Sequence, residues 1–427
     1  RHPVDGCVVL LGFCAARGLE FIFCVCFIRS LACVCGGSQW RCIVLGARRL
    51  LVLKGTTQLT INGDQKIDAS LGEKLLDALT RGGIHLPTSC GGAGTCGLCR
   101  IQVSGGDDVS VVERAALSKI DAETGYRLAC QVVVRNALTI KLPTELLTAE
   151  TWTCSVHKIR TVSPLIKEII LDLPEGQVKS IRAGSYVQIV APQFELSFAD
   201  IEVAPEHAET WERMGLRALT VNNKAPVARA YSLANSSSET SHLTLNIRLA
   251  LPPANQPDVP PGIVSSYLFG LRAGDQVEVS GPFGNFFASD TTREMVMIGG
   301  GVGMAPLRAI VVDQLERQGD DRTISFWYGA RGLIDLYYDE EMENLAQKFE
   351  NFSWNIALSD PAPEDEWSGD TGFIHDVVYR RHLENHPDPT ACEYYLCGPP
   401  LMIEAVRSLL NTLGVAESSV FYDDFGG

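Results

Sequence analysis

The sequence is short of positive charge: 36 Lys and Arg stand against 51 Asp and Glu, for a formal net charge of −15. So acidic a chain is repelled by polyanions and it contains no nucleic-acid-binding motif, which excludes a nucleic-acid partner. Long apolar runs are also missing. The stretches Cys7 to Ala16, Phe21 to Ile28 and Leu31 to Cys35 are interrupted by Arg17, Glu20 and Arg29 before any reaches the roughly twenty residues that span a bilayer. No series of further spans follows, so the chain is not itself a multi-span transporter. A secretory signal is hard to read as well, because no small-residue cleavage site follows the first apolar run.

What is there is unevenly spread. Residues 1–54 hold seven Lys and Arg and two Asp and Glu, or +5, which leaves −20 for residues 55–427. The same stretch holds seven of the fourteen cysteines. We read 1–54 as a single N-terminal membrane anchor in disturbed form, with Arg48 and Arg49 as a basic flank that stays cytoplasmic. Because the chain begins with Arg1 rather than Met, a segment that is partly not native coding sequence is the alternative. Length alone predicts two to four domains.

Three of the other cysteines fall in Cys90-Gly-Gly-Ala-Gly-Thr-Cys96-Gly-Leu-Cys99, with four glycines in the same ten residues. Cysteines at this density supply soft thiolate ligands, and Gly91, Gly92, Gly94 and Gly97 permit left-handed backbone and close approach of N–H groups to an anion. Downstream, Cys130 is the only cysteine before Cys154. Cys90, Cys96, Cys99 and Cys130 therefore read as the ligands of a [2Fe–2S] site. Structural zinc is the rival, but it favours paired knuckles, and only Cys96 and Cys99 form one. Disulfides belong to an oxidising compartment, and buried unpaired cysteines would not require the glycines.

Around this loop, residues 57–69 alternate about Asn62-Gly63, which predicts a hairpin. Leu71 to Leu79 has helical spacing with Ser70 as N-cap, and strands are expected at Cys99 to Val103 and Leu138 to Leu142. This is the element order of a β-grasp domain. From Thr151 to Ser289, short alternating strands between Gly, Pro and Asn turns predict an antiparallel barrel or sandwich, with residues 197–228 as an insertion on it. It contains Arg229-Ala-Tyr231-Ser232, a strand that places Arg229 and Tyr231 on one face and Ser232 on the other. Gly262, with Ser265 and Ser266, then opens a helix whose amides could hold a pyrophosphate.

From Met295 the pattern is strand, glycine loop and helix, with Gly301 and Gly303 in the loop and Pro306 in the first turn of a helix through Leu315. Pro306 stands where the dinucleotide fingerprint has its third glycine. Strand followed by turn recurs at Gly329-Ala-Arg331, Ser359-Asp360 and Cys397-Gly398-Pro399-Pro400. Such repetition predicts a parallel sheet whose ligand-binding turns converge beyond the carboxyl ends of the strands.

Arg229-x-Tyr231-Ser232, Gly301-x-Gly303-x-x-Pro306 and Cys397-Gly-Pro-Pro400 together resemble the ferredoxin-NADP reductase superfamily, here with an N-terminal ferredoxin domain. Within it the chain resembles the F-subunit family of Na+-translocating NADH:quinone reductases over residues 55 to 427. That likeness rests on Arg229 to Asn235, Gly281-Pro-Phe-Gly284, Trp327 to Arg331, Leu358-Ser-Asp360, Cys392 to Tyr395, the terminal Asp423 to Gly427, and the C-x5-C-x2-C spacing at 90–99. It implies a multidomain α+β and α/β chain: the anchor at 1–54, a β-grasp ferredoxin domain at 55–148, an antiparallel β-barrel FAD domain at 149–290 and a parallel α/β NADH-binding domain at 291–427.

The resemblance also implies FAD, a 2Fe-2S cluster and NADH as cofactors. Hydride would pass from NADH to FAD, and single electrons would pass to the cluster and on to other subunits of a membrane quinone reductase. The site of action would be the cytoplasmic face of the bacterial inner membrane, with quinone reached only indirectly. Arg229, the Gly262, Ser265 and Ser266 turn and Arg248 would hold FAD. Tyr231 would pack on its ring, Ser232 would hydrogen-bond near N5, and Phe425 would cover the other face. Gly301, Gly303 and Pro306 would meet the NADH pyrophosphate, Arg331 and Asp360 would border the nucleotide, and Cys397 with Gly398 and Pro399 would sit at the nicotinamide. Ser232, Cys397 and Phe425 are thus the expected catalytic residues. Neither a 2′-phosphate site nor a ribose carboxylate is evident, so NADH over NADPH rests on the resemblance. A soluble reductase that feeds an oxygenase, and a carrier that binds nucleotide without turning it over, are the alternatives.

Overall fold

The computed structural model describes residues 55–88, 90–143, 146, 150–175, 181–253, 256, 258–317 and 322–423. The expected anchor over 1–54 and Phe425 lie outside the described residues. Among the described residues no helix is long and apolar enough to cross a membrane.

Strands β1 (Thr56–Ile61) and β2 (Gln65–Ser70) pair around Asn62 and Gly63, which take φ of 49° and 90° as a tight hairpin turn requires. With β3 (Arg100–Ser104), β4 (Tyr126–Leu128) and β5 (Leu138–Lys141) they form a sheet of order β2-β1-β5-β3-β4, in which β5 runs parallel to β1. Helix α1 (Leu75–Arg81) lays Leu75, Ala78 and Leu79 on this sheet, and helix α2 (Val111–Ala116) lies between β3 and β4 in the chain. The first helix starts later than its spacing predicts. Leu71 donates to the Gly55 carbonyl, Gly72 donates to that of Val134, and Lys74 bridges to Val133. Tertiary pairing therefore takes residues 71–74, and Ser70 ends a strand instead of capping a helix.

The second sheet is made of β6 (Glu150–Ser163), β7 (Ile166–Asp172), β8 (Tyr186–Ala191), β11 (Val227–Ser232), β12 (His242–Arg248) and β13 (Gln276–Phe283). Its order is β11-β8-β13-β6-β7-β12, antiparallel throughout, and a Leu233–Leu245 bridge brings its two edges together as a barrel. The insertion holds a two-stranded ribbon, β9 (Phe194–Ser197) with β10 (Thr220–Asn223), and helix α3 (Pro205–Arg213). It is more than an ornament. Trp211 on α3 is fully buried beside Phe198 and Phe269, with its indole donating to the Pro164 carbonyl at 2.6 Å. Truncating such a ring costs about 3–5 kcal/mol. Helix α4 (Ile263–Phe269) connects β12 to β13 and brings Phe269 to this cluster.

The third sheet comprises β14 (Met295–Gly300), β15 (Ile324–Ala330), β16 (Phe352–Leu358), β17 (Asp370–Thr371), β18 (Glu393–Cys397) and β19 (Val420–Asp423). Every pair is parallel, in the order β17-β16-β15-β14-β18-β19. Its crossovers include helix α5 (Met304–Val312) after β14 and helix α6 (Ile374–Arg381) after β17. The chain builds outward from β14 on one side, then returns to add β18 and β19 on the other. Strand order therefore reverses between β14 and β18, and a crevice opens at their carboxyl ends.

Candidate active site and cluster loop

Gly91, Gly92, Gly94 and Gly97 all have positive φ, between 62° and 89°, so the 90–99 loop follows a path that side chains with a Cβ resist. The four sulfurs fall into two pairs, as two irons require. Cys90 and Cys96 lie 3.4 Å apart, and Cys99 is hydrogen-bonded to Cys130. Burial raises the Cys90 thiol, but the amides of Cys96, Thr95 and Gly94 and the Cys96 thiol outweigh it and bring it down to about 6. Amides that stabilise a thiolate are the donors that a cluster's sulfurs need, and the residues present fit a [2Fe–2S] group.

Two supports of this loop have no motif in the sequence. The Gln131 amide donates to the Gly92 carbonyl at 2.9 Å and to the Cys130 sulfur at 3.3 Å. Glu113, fully buried on α2, takes a two-pronged ion pair from Arg127 at 2.8 and 2.9 Å, and accepts from the Leu128 amide at 3.1 Å. Arg127 and Leu128 lead directly to Cys130. The pair thus fixes the strand that delivers the fourth ligand.

The loop is seated on the barrel strand that carries Arg229, Tyr231 and Ser232. A Cβ built on Gly91 would lie 2.7 Å from both terminal nitrogens of Arg229, so the guanidinium covers the loop directly, while its Nη1 donates to the Ala228 carbonyl at 2.8 Å. Thr88 donates its amide to Gln188 of β8 at 3.1 Å. Tyr186, opposite Ser232 in the β8–β11 pairing, has its hydroxyl pushed upward by burial and by the negative charges of Asp423 and Cys96. Tyr231 packs against the barrel core, and burial likewise raises its hydroxyl.

Asp423 opens the terminal motif, but its role is not legible there because it works through two contacts distant in sequence. Ser232 donates to its carboxylate at 2.9 Å, and Asp423 faces Cys397 in the β18–β19 register. The barrel strand, the last strand of the parallel sheet and Cys397 thus meet in one place. Cys397 is fully buried. Its carbonyl is so close to Gly303 that a Cβ there would clash with it, and a Cβ on Gly398 would lie 2.9 Å from the Gly300 carbonyl. Gly301 serves differently, with φ of 55° and open space before it. Its carbonyl accepts from the buried hydroxyls of Tyr328 and Tyr337 at 2.9 and 3.0 Å.

Pro306 is buried as the third residue of α5, where it supports the loop from behind. Arg331 and Asp360 pair with each other at 3.0 Å across neighbouring strand ends and are both exposed. Pro399 precedes the helix that begins at Pro400. At α4 the residue before the first turn, Gly262, caps no amide with a side chain. The Ser265 hydroxyl is spent within the turn, donating to the Gly262 carbonyl at 3.1 Å and accepting from the Ala250 amide at 3.2 Å. That of Ser266 is buried without a partner. Arg248 is exposed at the end of β12. These uncommitted amides and the orphaned hydroxyl fit a phosphate-bearing cofactor.

The fold and site define a class: a flavin- and nucleotide-binding reductase joined to a ferredoxin. Three family models match in that sense, the 2Fe-2S iron-sulfur cluster binding domain over 59–135, the oxidoreductase FAD-binding domain over 215–287 and the oxidoreductase NAD-binding domain over 297–408. The solved Amycolatopsis cytochrome P450 reductase GcoB is similar, at 27% identity and TM-score 0.61, over 87% of this chain and 99% of that one. The F subunit of the Na(+)-translocating NADH-quinone reductase of Klebsiella pneumoniae is 47% identical over 90% of this chain and 95% of its own length. That of Methylococcus capsulatus is 45% identical with the same coverage. The chain belongs to the family of F subunits of the Na(+)-translocating NADH-quinone reductase.

Proposed function

We propose that this chain is the NADH-oxidising module of a sodium-pumping quinone reductase, taking hydride from NADH onto FAD and passing single electrons through a [2Fe–2S] cluster to other subunits of the membrane complex. The observation that carries this is the meeting of three elements: the cluster loop lies on Arg229, and Ser232 of the same strand is tied through Asp423 to the Cys397 turn. Bound FAD supplies the conversion of a two-electron donor into a one-electron one. The chain's residues supply placement. Arg229 offers positive charge between the barrel and the cluster loop, and the turn from Gly262 to Ser266, with Arg248, offers amides and charge to phosphates. Gly301 and Gly303 let the nucleotide loop reach the Cys397–Gly398–Pro399 turn, with Pro306 behind it and the Arg331–Asp360 pair at the rim.

Ser232 and Asp423 hold a hydroxyl and a carboxylate where the nicotinamide and flavin rings would meet, and Cys397 closes that end with a small side chain. Phe425, two residues beyond Asp423, is the aromatic we assign to the exposed flavin face. The boundaries we adopt are 1–54 for a single-pass anchor at the cytoplasmic face, 55–148, 149–290 and 291–427. Sodium translocation belongs to other subunits. Flavin-loaded protein should oxidise NADH rapidly with ferricyanide, and Cys96→Ala should abolish the cluster's visible absorption while sparing that reaction. A flavin-loaded protein that does not oxidise NADH would leave only a carrier.

A further inference from the structure

At the amino ends of β14 and β18, opposite the cofactor crevice, lies a second cluster of metal-binding groups. Glu294 immediately precedes β14. One of its carboxylate oxygens is 2.9 Å from His382 Nε2 and the other is 3.0 Å from His386 Nε2. The ligand atoms of these three residues lie within 4.8 Å of one another. The sulfur of Cys392, the residue before β18, is 3.6 Å from His386 Nε2. None of these side chains has a part in the electron path, which lies about 16 Å away along strands that rise about 3.3 Å per residue.

We propose that Glu294, His382, His386 and Cys392 form a structural zinc site. The donor set is one that borderline divalent zinc prefers, and His382-x3-His386 has the spacing of zinc ligands on a helix end. Distances agree with it. Zinc–nitrogen and zinc–oxygen bonds of about 2.1 Å set tetrahedral neighbours about 3.4 Å apart, and a zinc–sulfur bond of about 2.3 Å puts a sulfur about 3.6 Å from a nitrogen. With one carboxylate oxygen as ligand, the atoms of Glu294, His382 and His386 lie within 4.8 Å of one another and need to close by at most about 1.4 Å, and the Cys392–His386 separation is already there.

A second observation points the same way. Glu294 Oε1 and His382 Nε2 are shielded from water and, 2.9 Å apart, have only each other as a polar partner, in poor hydrogen-bond alignment. An ion between them would satisfy both.

The proton balance is explicit. His386 Nδ1 accepts the Asp388 amide at 3.2 Å, so without metal its proton sits on Nε2 and is shared with Glu294. Zinc takes the Nε2 lone pair, the proton moves to Nδ1, and the Asp388 amide gives up its contact. The Cys392 thiol binds by releasing its proton to solvent as the ion replaces it. Arg293, next to Glu294 in the chain, is committed to Glu393 and to the carbonyls of Thr390, Ala391 and Cys392. Occupancy would tie the connection after α6 to β14 and β18, whose other ends carry the glycine loop and Cys397.

The test uses the full chain with FAD and the iron–sulfur cluster loaded, so that Cys90, Cys96, Cys99 and Cys130 are occupied. After incubation with zinc chloride and exhaustive dialysis, elemental analysis should find one zinc for every two irons. X-ray absorption at the zinc edge should show one sulfur at about 2.3 Å with nitrogen and oxygen neighbours. Glu294→Gln and His386→Asn should each weaken zinc binding more than about tenfold while the flavin and cluster spectra stay unchanged. No retained zinc in the loaded wild type, a zinc shell without sulfur, or retention indifferent to both substitutions overturns the proposal. If a variant fails to fold, Cys392→Ser takes its place: it should remove the sulfur neighbour from the zinc-edge spectrum, and a shell that keeps its sulfur overturns the proposal.

Discussion

Replacing Gly303 by Ala should pull apart the two turns that form the nicotinamide end of the site, by sterics alone. Gly303 has φ of −60°, which any residue adopts. A new Cβ would clash with the Cys397 carbonyl and lie 2.7 Å from the Gly398 nitrogen, and neither backbone atom can rotate away. Comfortable contact between such atoms needs about 3.5 Å, so the loop and the turn must separate by on the order of 1 Å. A displacement of that size near reacting atoms costs about 100-fold in rate. Gly301→Ala is the control, because its φ of 55° strains an alanine by about 1–2 kcal/mol but places the Cβ in open space. Stopped-flow reduction of bound flavin by NADH separates the two. Gly303→Ala should retain FAD and be reduced about 100-fold more slowly even at saturating NADH, whereas Gly301→Ala should lose thermal stability, need more NADH to saturate and keep most of its rate once saturated. Wild-type flavin reduction in Gly303→Ala would refute the reasoning.

Asp423→Ala removes the acceptor of the Ser232 hydroxyl and should slow flavin reduction roughly 10- to 100-fold with little change in NADH affinity, read by stopped-flow at varied NADH. Glu113→Ala leaves Arg127 charged and buried, which should cost about 3–5 kcal/mol in urea denaturation followed at the cluster's absorbance. Lys167 is buried against the Phe269 carbonyl, and burial lowers its ammonium from 10.5 to about 8. The folded state then holds fewer protons than the unfolded one between those values, so this lysine makes stability rise with pH from about 8 to 10.5; Lys167→Met should flatten that rise in a pH series of thermal melts.

What is legible in the sequence is whatever its chemistry makes local. The cysteine spacing, the left-handed glycines, the hairpin at Asn62-Gly63 and the recurring strand-and-turn pattern of the nucleotide domain are decided within a dozen residues, and the structure has all of them. What is not legible depends on partners far along the chain. Lys74 pairs with Val133 and delays a helix whose apolar spacing starts at Leu71. The polar insertion is legible as out of step with the barrel, but nothing local says that Trp211 fills the barrel's core. The motif around Arg229 points to a phosphate ligand, yet the side chain also covers Gly91, a contact across 138 residues that no pattern encodes. Asp423 belongs to the terminal motif and Gln131 follows the fourth cysteine, yet both act on other segments, and Glu113 is marked only by the capping box it forms with Ser110.

The central claim is that one chain carries electrons from NADH through flavin to a cluster held by Cys90, Cys96, Cys99 and Cys130. An anaerobic NADH titration of the purified full chain, followed by visible and EPR spectroscopy, tests it most directly. Flavin bleaching together with the EPR signal of a reduced [2Fe–2S] cluster is expected, and Cys96→Ala should keep the bleaching and lose the EPR signal. Bleaching without any cluster signal in the iron-loaded wild type would contradict the account.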